Sequence, residues 1–227
     1  MRLLLICLLH WPFPAPAQSP ASLRVQPVFR DEKIALEQPL HLPGGDSLTL
    51  HTLRFYLGHF VFWKNGQVLR DERGVYHLID LEDENSLVLP DSPAGFDSLA
   101  FDLGVDSLTT SAGAMGGDLD PTRGMFWTWQ SGYINLKAEG AASMSPARNG
   151  GFAYHLGGYL PPFAAARTVR LGVGERAPAG KALVLRLDLA PFFSAADRVK
   201  KPNVMSPGPE ALRLSEVLAQ SFSIHAE

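Results

Sequence analysis

Hydrophobic and polar residues alternate with a period of two along most of the chain. This period predicts β-strands that bury one face. The last such segment is the most regular, because the leucines at positions 183, 185, 187 and 189 point one way while Arg186 and Asp188 point the other. The other predicted strands lie at residues 23–29, 47–57, 60–64, 67–69, 75–79, 86–89, 99–103, 152–156 and 169–173.

Turn signals separate these segments. Asn65-Gly66 lies between two of them and favours a type I′ hairpin turn, while 21 glycines and 18 prolines supply further chain breaks. Many short strands joined by such turns predict an all-β fold, an antiparallel β-sandwich. The sequence also predicts long loops near residues 107–124, 140–150 and 157–167, and one short C-terminal helix at residues 209–220, where Pro209 suits the first helical position.

The first 17 residues have the features of a secretory signal peptide. Arg2 supplies the positive charge, residues 3–9 form a short apolar core, and residues 15–17 form a small-residue cleavage site. The apolar run is too short to span a bilayer, so no stable membrane insertion is expected. We therefore expect a periplasmic or secreted protein with a signal peptide at residues 1–17 and a single domain at residues 18–227.

Composition excludes several classes of function. Cys7, the only cysteine, lies in the signal segment, so the exported chain would have no disulfide and no thiolate nucleophile. The formal charge is −3 and no basic stripe is present, which argues against a nucleic-acid partner. The nucleophile elbow, the P-loop and a dinucleotide motif after a strand are missing. We therefore expect a protein that is not an enzyme.

Aromatic residues are concentrated between positions 124 and 140. Trp127 and Trp129 would share one face of a strand, which predicts an aromatic wall, and Ser131-Gly132 predicts a kink between two strand halves. Packing in a hydrophobic core is the ordinary role of such indoles.

Residues 116–121 and 124–133 resemble the MbnP-like family, which comprises periplasmic proteins related to the methanobactin-associated copper protein. Further blocks agree in the same order at residues 76–80, 101–106, 154–158, 205–210 and 222–223. The resemblance implies copper binding and a separate partner, a di-haem cytochrome c peroxidase-like protein (MbnH-like). In some members this partner oxidises a tryptophan to kynurenine, which then helps to hold the metal. Other members contain cysteine, and this chain departs from them because its expected exported part has none.

The histidines do not form a local metal motif, so a copper site would have to combine imidazoles from distant strands. His77 and His155 lie within the family-like blocks, and we rank them first as ligands; buried rings bonded to a carbonyl are the alternative. His51 and His59 are further candidates because they would share one face of an unbroken strand. Gly58 breaks such a register easily, and two solvent-facing rings are the simpler interpretation.

For oxidation or electron transfer, the candidates are Trp127 and Trp129, followed by Trp63. The main rival hypothesis is a non-catalytic β-sandwich interaction module without metal, in which the aromatic blocks form the core. A zinc-dependent hydrolase ranks last because only scattered histidines support it.

Carboxylates gather before the aromatic stretch, where Asp118 and Asp120 follow Asp102 and Asp106. Oxygen ligands of this kind suit Ca²⁺, but the spacing is not that of an EF-hand. Ordinary turns, in which aspartate bonds its own backbone, are the favoured interpretation.

Overall fold

In a computed structural model the chain forms two β-sheets that pack face to face. The structure describes residues 21–127, 131–173 and 182–226. The strands are β1 (Ala21–Phe29), β2 (Glu32–Lys33), β3 (Pro39–His41), β4 (Ser47–Lys64), β5 (Gln67–Asp71), β6 (Tyr76–Asp80), β7 (Val88–Ser92), β8 (Ser98–Leu103), β9 (Phe126–Trp127), β10 (Gly132–Ala142), β11 (Gly151–Gly157), β12 (Arg167–Gly172), β13 (Leu183–Asp188), β14 (Asn203–Val204) and β15 (Phe222–Ala226). The helices are α1 (Ser107–Ser111), α2 (Ala190–Ala195) and α3 (Pro209–Ala219).

The predicted all-β sandwich is confirmed, and most of its strand pairs are antiparallel. Among the described strands, two pairs are parallel, β1 with β13 and β11 with β14. The predicted C-terminal helix is α3, whereas α1 and α2 were not predicted because each spans under two turns and has little room for a helical period. The signal peptide predicted at residues 1–17 lies outside the described residues.

Local turn chemistry explains the clearest hairpin. Asn65 and Gly66 have φ angles of 49° and 75°, as a type I′ turn requires, and they join β4 to β5 through the pair Lys64–Gln67. The aromatic stretch was predicted to form one strand with a kink, and the structure differs from that prediction. Its two halves pair antiparallel, with Trp127 of β9 opposite Gly132 of β10, because the chain reverses near Gly132, whose φ of 71° suits glycine.

The smaller sheet has the order β15-β13-β1-β2, and β7 also pairs with β1. Strand β13 is central, so that Leu185 lies between Val25 of β1 and Ile224 of β15. Its alternating leucines are buried against the other sheet, which is why this segment has the most regular hydrophobic pattern.

The larger sheet is built around the long strand β4. Its order is β12-β8-β4-β10-β11-β14, with β3, β5 and β6 also paired to β4 and β9 paired to β10. Phe55 of β4 lies between β6 and β10, while Leu57 lies between β6 and β8. Strands β10 and β8 therefore follow each other along the same edge of β4, and the sheet divides into a β10–β11 arm and a β8–β12 arm.

The two faces of the larger sheet are covered by different parts of the chain. The inner face packs on the smaller sheet and forms the main hydrophobic core. The outer face is partly covered by the loop of residues 105–125, where Tyr133 Oη donates to the Leu119 carbonyl at 2.9 Å. Sheet and loop there share a second cluster of buried residues, which are Tyr56, Tyr76, Leu78, Val105, Leu119, Met125, Tyr133 and Ile134.

Within the described parts of the chain, no helix is long and apolar enough to cross a membrane.

Candidate functional site

His77 and His155, the first-ranked metal ligands, lie on opposite faces of the larger sheet. His155 is paired with Lys137, which is paired with Arg54 of β4, whereas His77 is paired with Leu57 of the same strand. Arg54 and Leu57 are three residues apart, so their side chains point to opposite faces. The structure does not bring the two imidazoles together, because strand register, which the sequence does not show, decides the face.

The imidazole of His77 is on the inner face, against the main core. Its centroid is 6.0 Å from that of Phe60, and its Nε2 is 3.8 Å from Glu72 Oε2. The side chain is 16% exposed. Burial lowers the pKa of His77, although Glu72 acts in the opposite direction. This is a packed histidine with one distant carboxylate, and its setting is close to the core alternative raised by the sequence.

His155 is on the outer face, and its side chain is only 7% exposed. Its Nε2 lies 2.6 Å from Glu139 Oε1, which is also 3.8 Å from Lys137 Nζ. Burial lowers the pKa of His155, while the hydrogen bond to Glu139 works against that change. Nδ1 has no hydrogen bond within the described residues. A carboxylate on one ring nitrogen, with the other left available, is the arrangement that orients metal-binding histidines.

Trp127 lies on the same face of the sheet as His155. Its indole lies over Gly157, where an added Cβ would be 2.7 Å from Trp127 Cζ3. Gly157 follows His155 by two residues on β11, so both positions face outward, about 6.6 Å apart along the strand. Trp129 lies outside the described residues. Trp63 is also on the outer face, but it belongs to the end of β4 that forms the β8–β12 arm.

His51 and His59 do not share a regular strand face. The pairing of β4 shifts register next to Gly58, and His59 has a φ of 54°. His51 is half-exposed, with its Nδ1 2.8 Å from Glu37 Oε1, as the solvent-facing interpretation expects.

His59 instead belongs to a polar cluster that was not predicted as a site, the His59 cluster. Its Nδ1 is 3.1 Å from Asp102 Oδ2, and its Nε2 is 3.4 Å from Asp106 Oδ2. The Tyr76 hydroxyl lies 2.9 Å from Nε2 and donates to Asp106, which also accepts from Thr109 Oγ1 at 2.7 Å. Burial, followed by the bond to Asp106, raises the pKa of Tyr76. In the sequence, the family-like blocks 76–80 and 101–106 contain Tyr76, Asp102 and Asp106 and were the signal that could have indicated this cluster.

Local backbone geometry builds this cluster. An added Cβ at Gly58 would lie 2.4 Å from Tyr76 Cδ1, so only glycine lets the tyrosine ring lie against β4. Asp106 is the N-cap of α1 and accepts from the Thr109 amide at 2.9 Å. The positive φ of His59 then turns its ring toward both carboxylates.

The His59 cluster is not arranged as a metal site. Asp102 and Asp106 engage opposite nitrogens of one imidazole, so their oxygens do not converge on a common point. Among the residues that the structure describes, no group of three or more His, Cys, Asp or Glu side chains could hold a metal ion. Asp120 makes a local bond, accepting from the amide of Thr122 at 2.8 Å, in agreement with the turn interpretation. Asp118 instead accepts from the amide of Leu78 on β6 at 3.0 Å, a contact between distant segments that the turn interpretation did not include.

A two-sheet sandwich with a loop-covered outer face defines the structural class of this chain. Its family is defined by sequence: a family model described as MbnP matches residues 18–206, and the chain belongs to the MbnP family. The fold is similar to that of MbnP from Methylosinus trichosporium, with a TM-score of 0.65, 16% identity, and coverage of 92% of this chain and 98% of that one. None of the curated proteins compared with the chain matches it significantly.

Proposed function

We propose that this protein is an exported, copper-binding member of the MbnP family that works with a di-haem cytochrome c peroxidase-like partner. The observation that carries the proposal is the family match over residues 18–206. Copper, export and the partner are what the resemblance of the family-like blocks implies. The chain itself is proposed to bind and hold the metal, with no catalytic role of its own.

A site shared by His77 and His155 does not fit the structure, because the two side chains face opposite ways. His155 is the better-supported ligand. Its ring is oriented by Glu139, its Nδ1 has no hydrogen bond within the described residues, and Trp127 lies over the neighbouring Gly157. If Trp127 is the tryptophan that becomes kynurenine, the new carbonyl would add a donor on the same face. The fit is partial, since the described residues offer one placed imidazole rather than three ligands.

Copper binding by single variants tests this assignment. The purified protein is dialysed against copper, with and without prior exposure to the di-haem partner, and bound metal is measured by elemental analysis. We expect His155→Ala to lose copper, while His77→Ala and the exposed control His41→Ala retain it. Undiminished binding in His155→Ala would overturn the ligand assignment. Absence of copper from the wild-type protein under both conditions would overturn the function.

Mass spectrometry tests the tryptophan chemistry separately. After exposure to the partner, we expect the mass change of one tryptophan-to-kynurenine conversion, and peptide mapping should locate it at Trp127. Conversion at Trp129 or Trp63 would move the site, and an unchanged mass would exclude the modification.

The metal-free interaction module remains the second candidate. It is favoured by one observation, the lack of a three-ligand group among the described residues. It predicts neither copper binding nor tryptophan conversion, so the two experiments above separate the candidates.

A further inference from the structure

We propose that the β8–β12 arm of the outer face carries a binding groove for a saccharide that bears a carboxylate group. The groove, called here the Trp63–Arg170 groove, has a volume of about 320 Å³. That size is at the lower end of the range for small-molecule sites. Its lining residues are Trp63, Ser98, Leu99, Arg170, Leu171 and Gly172.

Sheet register forms the groove. Trp63 of β4 is paired with Ser98 of β8, which is paired with Gly172 of β12, so all three positions face outward in one row. In the next row, Ala100 is paired with Arg170. Of the lining residues, Ser98 and Gly172 are small and form the floor beside the two large side chains, Trp63 and Arg170. An added Cβ at Gly172 would meet no heavy atom of the described residues within 4 Å, so they leave the space above this floor open.

Trp63 supplies an apolar wall. The indole of Trp63 is partly exposed. Val68, the residue of β5 that is paired with Trp63, is 57% exposed. An indole offers a large, rigid apolar face with little conformational freedom to lose on binding. The C–H face of a sugar ring is flat and apolar and matches such a wall, while its hydroxyl groups remain in solvent above the shallow floor.

Arg170 supplies a cation that has no ion pair with any of the described residues. Its neighbour on the same strand, Arg167, has an ion pair with Glu216 at 3.3 Å, but Arg170 has no ion pair or hydrogen bond within the described residues. The carboxylate one row along, Asp102, accepts from Thr168 Oγ1 at 2.6 Å and lies 3.1 Å from His59. A free guanidinium fork binds a carboxylate through two parallel hydrogen bonds.

The two walls together specify the ligand. An apolar wall alone would accept any flat ring, and a cation alone would accept any anion. A sugar acid carries a ring and a planar anion within one sugar unit. Its ring matches the indole of Trp63, and its carboxylate matches the guanidinium of Arg170. The prediction concerns the arm that does not carry His155, so it is independent of copper.

The test is titration calorimetry in copper-free buffer with a trimer of galacturonic acid and with its methyl ester, which removes the charge but keeps the rings. We expect the acid to bind at least about tenfold more tightly than the ester. Arg170→Ala should weaken binding of the acid by a similar factor and abolish the preference for the acid over the ester. Trp63→Ala should weaken the binding of both ligands. The control Arg148→Ala removes an exposed arginine in the β10–β11 turn and should change nothing.

Several results would overturn the proposal. These are equal binding of acid and ester, no binding of either at millimolar concentration, or an Arg170→Ala variant that binds as the wild type does. Sensitivity to Arg170→Ala without sensitivity to Trp63→Ala would move the ligand to the neighbouring cavity between β12 and α3, which Arg170 also lines. Thermal melting checks each variant, and Trp63→Leu, which also removes the flat ring, replaces Trp63→Ala if the latter does not fold.

Discussion

The inner and outer faces of the larger sheet differ in what their side chains contact. On the inner face, Phe55 and Leu57 of β4 are fully buried in the main core. On the outer face of the same strand, Arg54 donates from Nη2 to Glu82 at 2.7 Å. One residue of register separates these environments, because alternate side chains of a strand face opposite ways. The two faces therefore differ in composition: the inner face forms the main hydrophobic core, and the outer face combines a smaller buried cluster with polar side chains.

The two histidines ranked first by sequence show what this difference means for function. His77 belongs to the inner face and packs against Phe60, whereas His155 belongs to the outer face and is held by Glu139. Both are histidines in family-like blocks, and sequence offers no way to rank one above the other. The face of the sheet on which each ring lies distinguishes His77, which packs against the core, from His155, which is a candidate metal ligand.

The largest expected effect comes from removing an inner-face side chain. Phe55→Ala should lower the free energy of unfolding by about 3–5 kcal/mol, because it removes a fully buried ring and leaves a cavity. Denaturant unfolding measures the change. The control Val68→Ala, which is 57% exposed on the outer side, should change it by about 0.5 kcal/mol or less. Similar losses in both variants would contradict the contrast between faces.

The next effect tests whether the outer face also contains tightly built positions. Gly58→Ala should cost about 1–3 kcal/mol, because the new methyl group would overlap the Tyr76 ring, which the His59 cluster holds in place. Gly172→Ala is the matched control, since its methyl group meets only open space. If both glycines tolerate alanine equally in chemical unfolding, the Tyr76 ring is free to move and the cluster is not rigid.

Asp106 gives a smaller, pH-dependent effect. Burial alone would raise the pKa of Asp106, but hydrogen bonds from Tyr76 and Thr109 lower it below its usual value. On acidification the unfolded chain therefore binds this proton first, at about pH 3.9, and the stabilisation present above that pH disappears as the pH falls through the folded-state pKa.

Asp106→Ala should accordingly cost about 1–2 kcal/mol at neutral pH, chiefly through loss of the N-cap of α1. The difference from the wild type should shrink below about pH 4 in urea unfolding curves. Asp31→Ala, at a side chain that is 97% exposed, is the control and should show little loss at any pH. A pH-independent loss would show that the charge of Asp106 does not matter.

The smallest effect concerns the two histidines themselves. Burial lowers the pKa of both His77 and His155 in the folded chain. The unfolded chain gains these protons at about pH 6.5, so stability should fall as the pH decreases from there toward the folded-state pKa values. His77→Phe and His155→Gln should each flatten this slope, and the exposed control His41→Gln should not. Unchanged slopes in both variants would contradict the buried, neutral state of these rings.

Sequence reasoning succeeded where structure depends on neighbours along the chain. The alternating leucines identified β13, Asn65-Gly66 identified the β4–β5 hairpin, and Pro209 marked the first residue of α3. It also found Trp127 and His155, which lie on one face of the sheet. The bulge at Gly58 was suspected, but the cluster that it builds was not, because His59, Tyr76 and the pair Asp102 and Asp106 come from three separate segments.

By itself, the sequence determined which segments form strands, which side of each is apolar, and the family to which the chain belongs. Only the tertiary structure decided that β1 lies parallel to β13, that His77 and His155 face apart, and that Trp63 and Arg170 line one groove. The physical reason is that strand pairing uses backbone N–H and C=O groups that nearly every residue has. A segment thus records its own alternation but not its partner or register, and those two choices decide which side chains meet.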